Sequence, residues 1–309
     1  MRRMLWFVLP AVAAGAILLG IGQEPPEEPL RATIVMAPEI TWRPDVPGEG
    51  RLFVLRVQAS EHTPIIGVHG EAAGEELHFA SVDERGFESL AAVPVGSDGR
   101  LSATVRTVFA DGGESTYAVD VPVTAGEYAH EALSVAPRFG APLSPADQAR
   151  LDEDRRIART AAERAHRTRR LWSPEGVRMP RESRVTSGFG DGRIFNGQLS
   201  SRHMGLDLQG FSGDTVVSVA RGTVEVVAPF LLAGNVVYVN HGAGLLSAYF
   251  HLSRQLVAVG DTVLPGTPVG LVGATGRVTG PHLHWVVRYG NTSVDPRSLL
   301  DLDLAPDER

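Results

Sequence analysis

Apolar and polar residues alternate through the first half of the chain, which predicts short β-strands separated by turns. The clearest alternating runs are 52–57, 101–108 and 116–123. Turn-forming residues stand between them, as at Ser97-Asp98-Gly99 and Asp111-Gly112-Gly113. In a pair of packed sheets, each strand turns one apolar face toward the other sheet and one polar face toward solvent. We therefore predict a small N-terminal β-sandwich over residues 31–137.

The pattern changes at Ser144, where a helix is predicted to begin and to run over residues 144–172. A hydroxyl cap at Ser144, Pro145 in the first turn and an acidic Asp147 are typical of a helix start. Arginines gather near the other end, where cations offset the helix dipole. Because the apolar face is mostly alanine, we expect a connecting arm and not a core element.

Beyond Pro180 the chain returns to short apolar runs divided by glycine. These runs are 216–219, 222–227, 235–239, 245–250, 269–272 and 284–288. Gly213-Asp-Thr-Val216 and Gly260-Asp-Thr-Val263 each precede an apolar run, which suggests a sheet that folds back on itself. The whole chain is therefore predicted to be mainly β, with a helical connector between two β-rich parts.

The first residues have the character of a targeting segment. A positive start at Met1-Arg2-Arg3 precedes an apolar run that ends at Gly22, and residues 23–30 form a charged, proline-rich linker. Residues 1–22 are predicted to be either an export signal or a retained anchor in the cytoplasmic membrane. We expect an exported protein of the periplasm or cell envelope.

The composition excludes several kinds of partner and site. The chain has 309 residues, a formal net charge of −7 and no cysteine. The acidic balance argues against a nucleic-acid partner, and the absence of cysteine excludes disulfides and thiolate metal sites. All 29 basic residues are arginine, so no lysine can carry a Schiff base or an attached cofactor.

Two short motifs provide the side chains for a metal site. His203 and Asp207 form an HxxxD motif, and His282 and His284 form an HxH motif. In a strand, the two imidazoles of HxH lie on one face because side chains alternate. A catalytic zinc ion usually takes three protein ligands and keeps a fourth position for water. One of the four residues would then remain free for chemistry, together with His251.

These motifs resemble those of the LytM or lysostaphin-type zinc endopeptidases, which cut peptidoglycan. The resemblance covers residues 182–300, followed by a tail at 301–309, and includes Val185-Thr-Ser-Gly-Phe-Gly190, Tyr249-x-His251 and Gly273-Ala-Thr-Gly-x-Val-Thr-Gly-Pro-His282-Leu-His284. It implies an antiparallel β-domain with a groove. It also implies that one zinc ion is bound by His203, Asp207 and His284, while His251 and His282 face the substrate.

The residues also limit the mechanism. Zinc can activate water and polarise a peptide carbonyl, and no HExxH glutamate is present to handle protons. His251 and His282 are both candidates for orienting water, moving a proton and stabilising an oxyanion. We expect an exported zinc metalloendopeptidase that hydrolyses peptidoglycan peptide cross-links through a metal-activated water.

The alternative is a non-enzymatic, LytM-like regulator that activates another wall hydrolase. Four histidines of the N-terminal half have no ligand spacing to one another and are expected to be surface or packing residues. They are His62, His69, His78 and His130. His241 follows a strand at a turn and is expected to be structural.

Overall fold

The structure is a computed structural model that describes residues 36–97, 99–133, 143–195, 199–302 and 304. The predicted leader at 1–22 and linker at 23–30 lie outside these residues. In the part of the chain that is described, no helix is both long and apolar enough to cross a membrane.

The N-terminal part consists of two four-stranded antiparallel sheets. Its strands are β1 Glu39–Arg43, β2 Leu52–Gln58, β3 Ile65–Ala72, β4 Glu75–Leu77, β5 Ala80–Ser81, β6 Gly86–Ala92, β7 Arg100–Phe109 and β8 Glu114–Pro122. One sheet has the order β1-β2-β6-β5 and the other the order β4-β3-β7-β8. Val54 and Leu90 from the first sheet join Val68 and Val105 from the second in one buried cluster. Buried and exposed positions alternate along β7 as the pattern predicts, whereas Leu52–Leu55 of β2 are all buried.

The C-terminal part is also built from strands, most of them antiparallel. Its strands are β9 His130–Leu133, β10 Val185–Ser187, β11 Gly192–Phe195, β12 Leu199–Arg202, β13 Leu206–Gln209, β14 Thr215–Val217, β15 Gly222–Phe230, β16 Gly234–Gly242, β17 Leu245–Leu252, β18 Arg254–Gln255, β19 Thr262–Val263, β20 Pro268–Leu271, β21 His282–Tyr289 and β22 Thr292–Val294. The main sheet has the order β10-β13-β21-β17-β16-β15-β19, and β22 pairs with β21. The prediction of a mainly β chain with an antiparallel C-terminal domain is confirmed.

Two smaller sheets flank the main one. Strands β14, β20 and β18 form the first, and β12, β11 and β9 form the second. Strand β9 precedes the helical connector in sequence, yet it pairs in parallel with β11. The chain segment near the predicted boundary at residue 137 therefore contributes a strand to the C-terminal part.

The connector is helix α1, Pro145–Arg167, whose start is capped by the Ser144 side chain. It ends before the predicted position near Trp172, and a short 3-10 turn follows at Pro174–Gly176. A second helix, α2, spans Arg297–Leu300.

The expectation that α1 is an arm outside the core is wrong. Ala158, Ala161 and Ala165 are buried and pack against Val236 and Leu246 of the main sheet. Small alanine side chains allow the helix to approach the sheet closely, so the alanine face is a packing surface. The helix therefore covers one face of the sheet that carries the candidate site.

Candidate metal centre

Strand register brings the two sequence motifs together. In the pairing of β13 with β21, Asp207 lies opposite His284 and Gln209 lies opposite His282. His203 follows β12 and reaches the same point because the chain turns back into β13. Leu283, between the two histidines, is completely buried, as the alternation of a strand requires.

His203, Asp207 and His284 present one donor atom each to a common point, and we call these three residues the principal centre. His203 Nε2 lies 3.0 Å from Asp207 Oδ1 and 2.8 Å from His284 Nδ1. His284 Nδ1 lies 2.7 Å from Asp207 Oδ1. Ligands that share one zinc ion at ~2.0–2.2 Å are about 3 to 3.5 Å apart. The donor set therefore fits a divalent metal after a small outward adjustment.

The opposite nitrogen of His203 is fixed by the backbone. Nδ1 of His203 lies 2.5 Å from the Gly188 carbonyl oxygen and 3.1 Å from Ser187 Oγ. A carbonyl oxygen can only accept, so Nδ1 carries the proton and Nε2 presents its lone pair to the centre. This is the outer hydrogen bond that usually orients a metal-binding histidine.

Asp207 divides its two oxygens between the histidines and an arginine. Oδ1 faces the two imidazoles, while Oδ2 accepts from Nη2 of Arg193 over 2.6 Å. Burial acts to raise the pKa of Asp207, but its close contacts with the His203 and His284 rings hold that pKa well below its usual range. The carboxylate is therefore charged at neutral pH, as a metal ligand must be.

His284 is held as a neutral ring. Burial lowers its pKa to about 4, although the neighbouring Asp207 acts in the opposite direction. Phe250 stacks on the imidazole at a centroid distance of 5.3 Å. A neutral imidazole with a fixed ring plane is the form that can donate its lone pair to a metal.

His251 and His282 lie beside the principal centre with their rings 5.0 Å apart. Nδ1 of His251 donates to the Thr275 carbonyl oxygen over 2.9 Å, and Nδ1 of His282 donates to the Gly280 carbonyl oxygen over 2.8 Å. Each ring is therefore anchored through Nδ1 with Nε2 directed away from the carbonyl oxygen, and both rings line the same cleft. Burial, then the nearby His284 and His282, keeps the pKa of His251 well below its ordinary value.

His251 has a backbone φ of 61°, in the left-handed region that few residues other than glycine adopt. Such a conformation costs roughly 1–2 kcal/mol. Hydrogen bonding maintains it, since the His251 N–H donates to the Ala233 carbonyl oxygen over 2.8 Å. Strained positions of this kind are concentrated at functional sites.

The cleft beside the centre has a volume of about 280 Å³. Its walls include Arg193, Arg277 and Glu131, besides the histidines. Glu131 lies in β9, far from the other cleft residues in the sequence. No spacing motif therefore indicated that it would reach the site. It accepts from Ser187 Oγ over 3.1 Å. Arg193 lies in β11, and its ion pair with Asp207 could not be read from the spacing of the motifs.

At Gly205 a side chain would clash with the principal centre. A Cβ there would lie 2.7 Å from the His284 ring and 2.7 Å from the Trp285 carbonyl oxygen. Glycine therefore permits the turn between His203 and Asp207 to pass directly against β21.

His241 lies away from the centre. Its Nδ1 donates to the Arg221 carbonyl oxygen over 2.9 Å, and its Nε2 lies 2.8 Å from Ser247 Oγ. Burial lowers its pKa to about 4. The ring thus joins neighbouring strands, as expected for a structural residue.

Residues 201–296 match the model of Peptidase family M23. Over 118 residues the chain is 36% identical to peptidoglycan DD-endopeptidase ShyC of Vibrio cholerae, an alignment that covers 38% of this chain and 27% of that protein. It is 39% identical over 113 residues to peptidoglycan DD-endopeptidase ShyB of the same organism, covering 36% of this chain and 26% of that protein. The match thus spans about a quarter of the length of these relatives.

A crystal structure described as a peptidase M23 from Pseudomonas aeruginosa has a TM-score of 0.61 to this chain. The two share 24% sequence identity, and the alignment covers 82% of this chain and 95% of that one. The likeness concerns the fold alone and extends over both β-rich parts.

Proposed function

Because residues 201–296 form a domain of peptidase family M23, we propose that this protein is a zinc-dependent endopeptidase that hydrolyses the peptide cross-links of peptidoglycan. The convergence of His203, Asp207 and His284 donor atoms at 2.7–3.0 Å carries the proposal. The names of the ShyC and ShyB relatives support peptidoglycan as the substrate and a D,D bond as the bond cut.

The principal centre would hold the metal through two nitrogens and one carboxylate oxygen. A bound zinc ion supplies Lewis acidity there, which lowers the pKa of water and polarises a peptide carbonyl. Two neutral imidazoles and one carboxylate leave part of the metal charge uncompensated. That remaining positive charge is what allows such an ion to act as a Lewis acid.

His251 and His282 would act as the general base and general acid of the reaction. Each is anchored through Nδ1, so the neutral form of each ring can accept a proton from an attacking water at Nε2. The resulting imidazolium can then donate to the departing amine, and a charged ring can also stabilise negative charge on the former carbonyl oxygen. Two such groups on one side of the cleft replace the glutamate of other zinc peptidases.

Arg193 and Arg277 add positive charge to the same cleft. Burial, and secondarily the nearby Arg193, lowers the pKa of Arg277, although an arginine stays charged at neutral pH. A peptide that carries carboxylates, as wall stem peptides do, would be attracted to this wall of the cleft. The proposed location is the cell envelope, which follows from the substrate and from the leader predicted at residues 1–22.

The proposal is tested by metal removal and by single substitutions. Wild-type protein is expected to reduce the turbidity of a purified cell-wall suspension when loaded with zinc, and to lose this activity after chelation. His203→Ala is expected to lose the metal of the principal centre and, with it, the activity. His251→Ala and His282→Ala are expected to keep the metal and to lose most turnover, because they remove proton-handling groups only.

His241→Gln is the matched control, since it alters a buried histidine outside the cleft. A non-enzymatic regulator would show no zinc-dependent clearance in any of these proteins. Equal metal loss in His203→Ala and His251→Ala would contradict the assignment of ligands.

A further inference from the structure

A second cluster of imidazole and carboxylate groups lies where the N-terminal sandwich meets the end of α1. Nε2 of His78 lies 2.8 Å from Nδ1 of His166, and the ring centroids are 5.1 Å apart. Glu76 adds a carboxylate oxygen, and one donor atom from each of the three residues lies within 4.8 Å of the others. Because residue 166 is far from residues 76 and 78 in the chain, no spacing motif reveals the cluster.

The cluster resembles the principal centre in its pair of facing histidines. In both places two imidazole nitrogens face one another at 2.8 Å with a carboxylate beside them. In both places the opposite nitrogen of one ring bonds to a fixed acceptor. Here Nε2 of His166 donates to Glu75 Oε2 over 3.0 Å, so Nδ1 carries the lone pair. A carboxylate behind a histidine is the usual outer support of a metal ligand.

The turn at Gly290 and Asn291 packs closely against Glu75 and His166. The other oxygen of Glu75 accepts from the Asn291 N–H over 2.8 Å. Gly290 has a φ of 55°, and a Cβ there would lie 1.9 Å from Glu75 Oε2 and 2.4 Å from His166 Nε2. Only glycine leaves room for the carboxylate and imidazole against this turn. The turn between β21 and β22 thus holds the outer support in place.

Local charge favours a cation at this point. His166 lies in the last turn of α1, where the helix dipole is negative. His78 is half-buried, so its imidazole is partly shielded from solvent beside His166.

We propose that His78, His166 and Glu76 bind a second divalent transition-metal ion, which fastens the N-terminal sandwich to the C-terminal half. Two imidazole nitrogens and one carboxylate oxygen form a donor set that suits zinc. Without metal, Nε2–H of His78 can donate to Nδ1 of His166, so the junction keeps its hydrogen bonds. Metal binding here is therefore separable from folding.

The site is tested by counting zinc ions bound to the full chain after chelation, reloading with zinc alone and gel filtration. We expect two ions per chain for the wild type and one for His203→Ala. The double variant His203→Ala/His78→Gln is expected to bind none. His203→Ala/His69→Gln is the matched control, because His69 is exposed on β3, and it is expected to bind one.

Thermal unfolding tests whether the second ion stabilises the contact between the two parts. Zinc is expected to raise the melting temperature of His203→Ala and to leave that of His203→Ala/His78→Gln unchanged. Glu76→Gln, made at an exposed position, provides a further variant that should fold and should weaken the second ion in the His203→Ala background. One ion in the wild type with none in His203→Ala, or one retained in both double variants, would overturn the second site and leave the proposed function standing.

Discussion

Asp207 uses its two carboxylate oxygens for different partners, and the outer one contacts Arg193 over 2.6 Å. That contact orients the carboxylate toward the histidines. We expect Arg193→Gln to weaken metal binding roughly 10- to 100-fold, the usual effect of removing an outer partner of a ligand. Competition with a fluorescent chelator measures the affinity.

Arg184→Gln is the matched control for this prediction, because Arg184 is exposed and bonds to Gln209. An unchanged metal affinity in Arg193→Gln would show that the ion pair does not orient Asp207.

His241 makes stability depend on pH. Its pKa is lowered from 6.5 to about 4 in the folded chain, so protonation favours the unfolded chain. Its stabilising effect is complete above about pH 6.5 and decreases as the pH falls toward about 4, with a total loss of roughly 3 kcal/mol. The difference in unfolding free energy between the wild type and His241→Gln, from urea titrations with a chelator between about pH 7 and pH 4, measures this loss, because other buried histidines such as His284 add to the pH dependence of the wild type.

His241→Gln is expected to flatten that dependence, while His69→Gln at an exposed position should keep it. If the His241→Gln protein loses stability as steeply as the wild type over this range, the assigned cause is wrong.

At the scale of single residues, the two spacing motifs indicated the three residues whose donor atoms the structure brings together, His203, Asp207 and His284, while their roles and those of His251 and His282 stay predictions. Alternation along a strand placed His282 and His284 on one face, and β21 has that geometry. Arg193, Glu131 and His166 contribute through tertiary contacts. Such contacts leave no local pattern, so no periodicity could reveal them.

The turn from β12 into β13 is the element on which the principal centre depends. At Gly205 a methyl group would meet the His284 ring at 2.7 Å, so Gly205→Ala should displace β21 from the turn. We expect that variant to lose most metal affinity while it still folds. Metal titration followed by circular dichroism measures both properties.

Gly280→Ala is the matched control, because a Cβ at Gly280 would meet no atom within 4 Å. Equal metal affinity in the two glycine variants would contradict the proposed role of the turn.

Element type was predictable where the hydrophobic pattern was strong, and element packing was not. The start of α1 follows from its cap, and the structure has that cap at Ser144. Its alanine face suggested an arm because small side chains bury little surface. The sheet supplies the larger partners instead, such as Leu246 and Val236. Likewise, β9 pairs in parallel with β11, a contact between distant segments that strand patterns do not specify.

In the whole molecule, the two β-rich parts are joined by specific contacts. Tyr289 donates its hydroxyl to the Glu76 carbonyl oxygen over 2.7 Å. The Asp295 N–H donates to the Gly50 carbonyl oxygen over 2.6 Å, and the Leu52 N–H donates to Ser298 Oγ over 3.1 Å. Buried side chains of both parts belong to one apolar cluster.

This shared core predicts a single unfolding transition for the described residues. Trp42 in β1 reports on the N-terminal part, and the buried Trp285 in β21 reports on the C-terminal part. In chelator-treated variants that retain only Trp42 or only Trp285 of the four tryptophans, the urea midpoint from fluorescence is expected to coincide with the midpoint from circular dichroism of the same variant. Two separate midpoints would show that the parts fold independently.

The central claim is that a metal held by His203, Asp207 and His284 enables hydrolysis of a peptide cross-link. Mass spectrometry of fragments released from purified peptidoglycan tests it most directly, because it identifies substrate and bond together. The zinc-loaded protein is expected to convert cross-linked dimers into monomers with the gain of one water at the D,D bond, and His203→Ala is expected to release none. Cleavage confined to glycan strands, or equal release by His203→Ala, would contradict the claim.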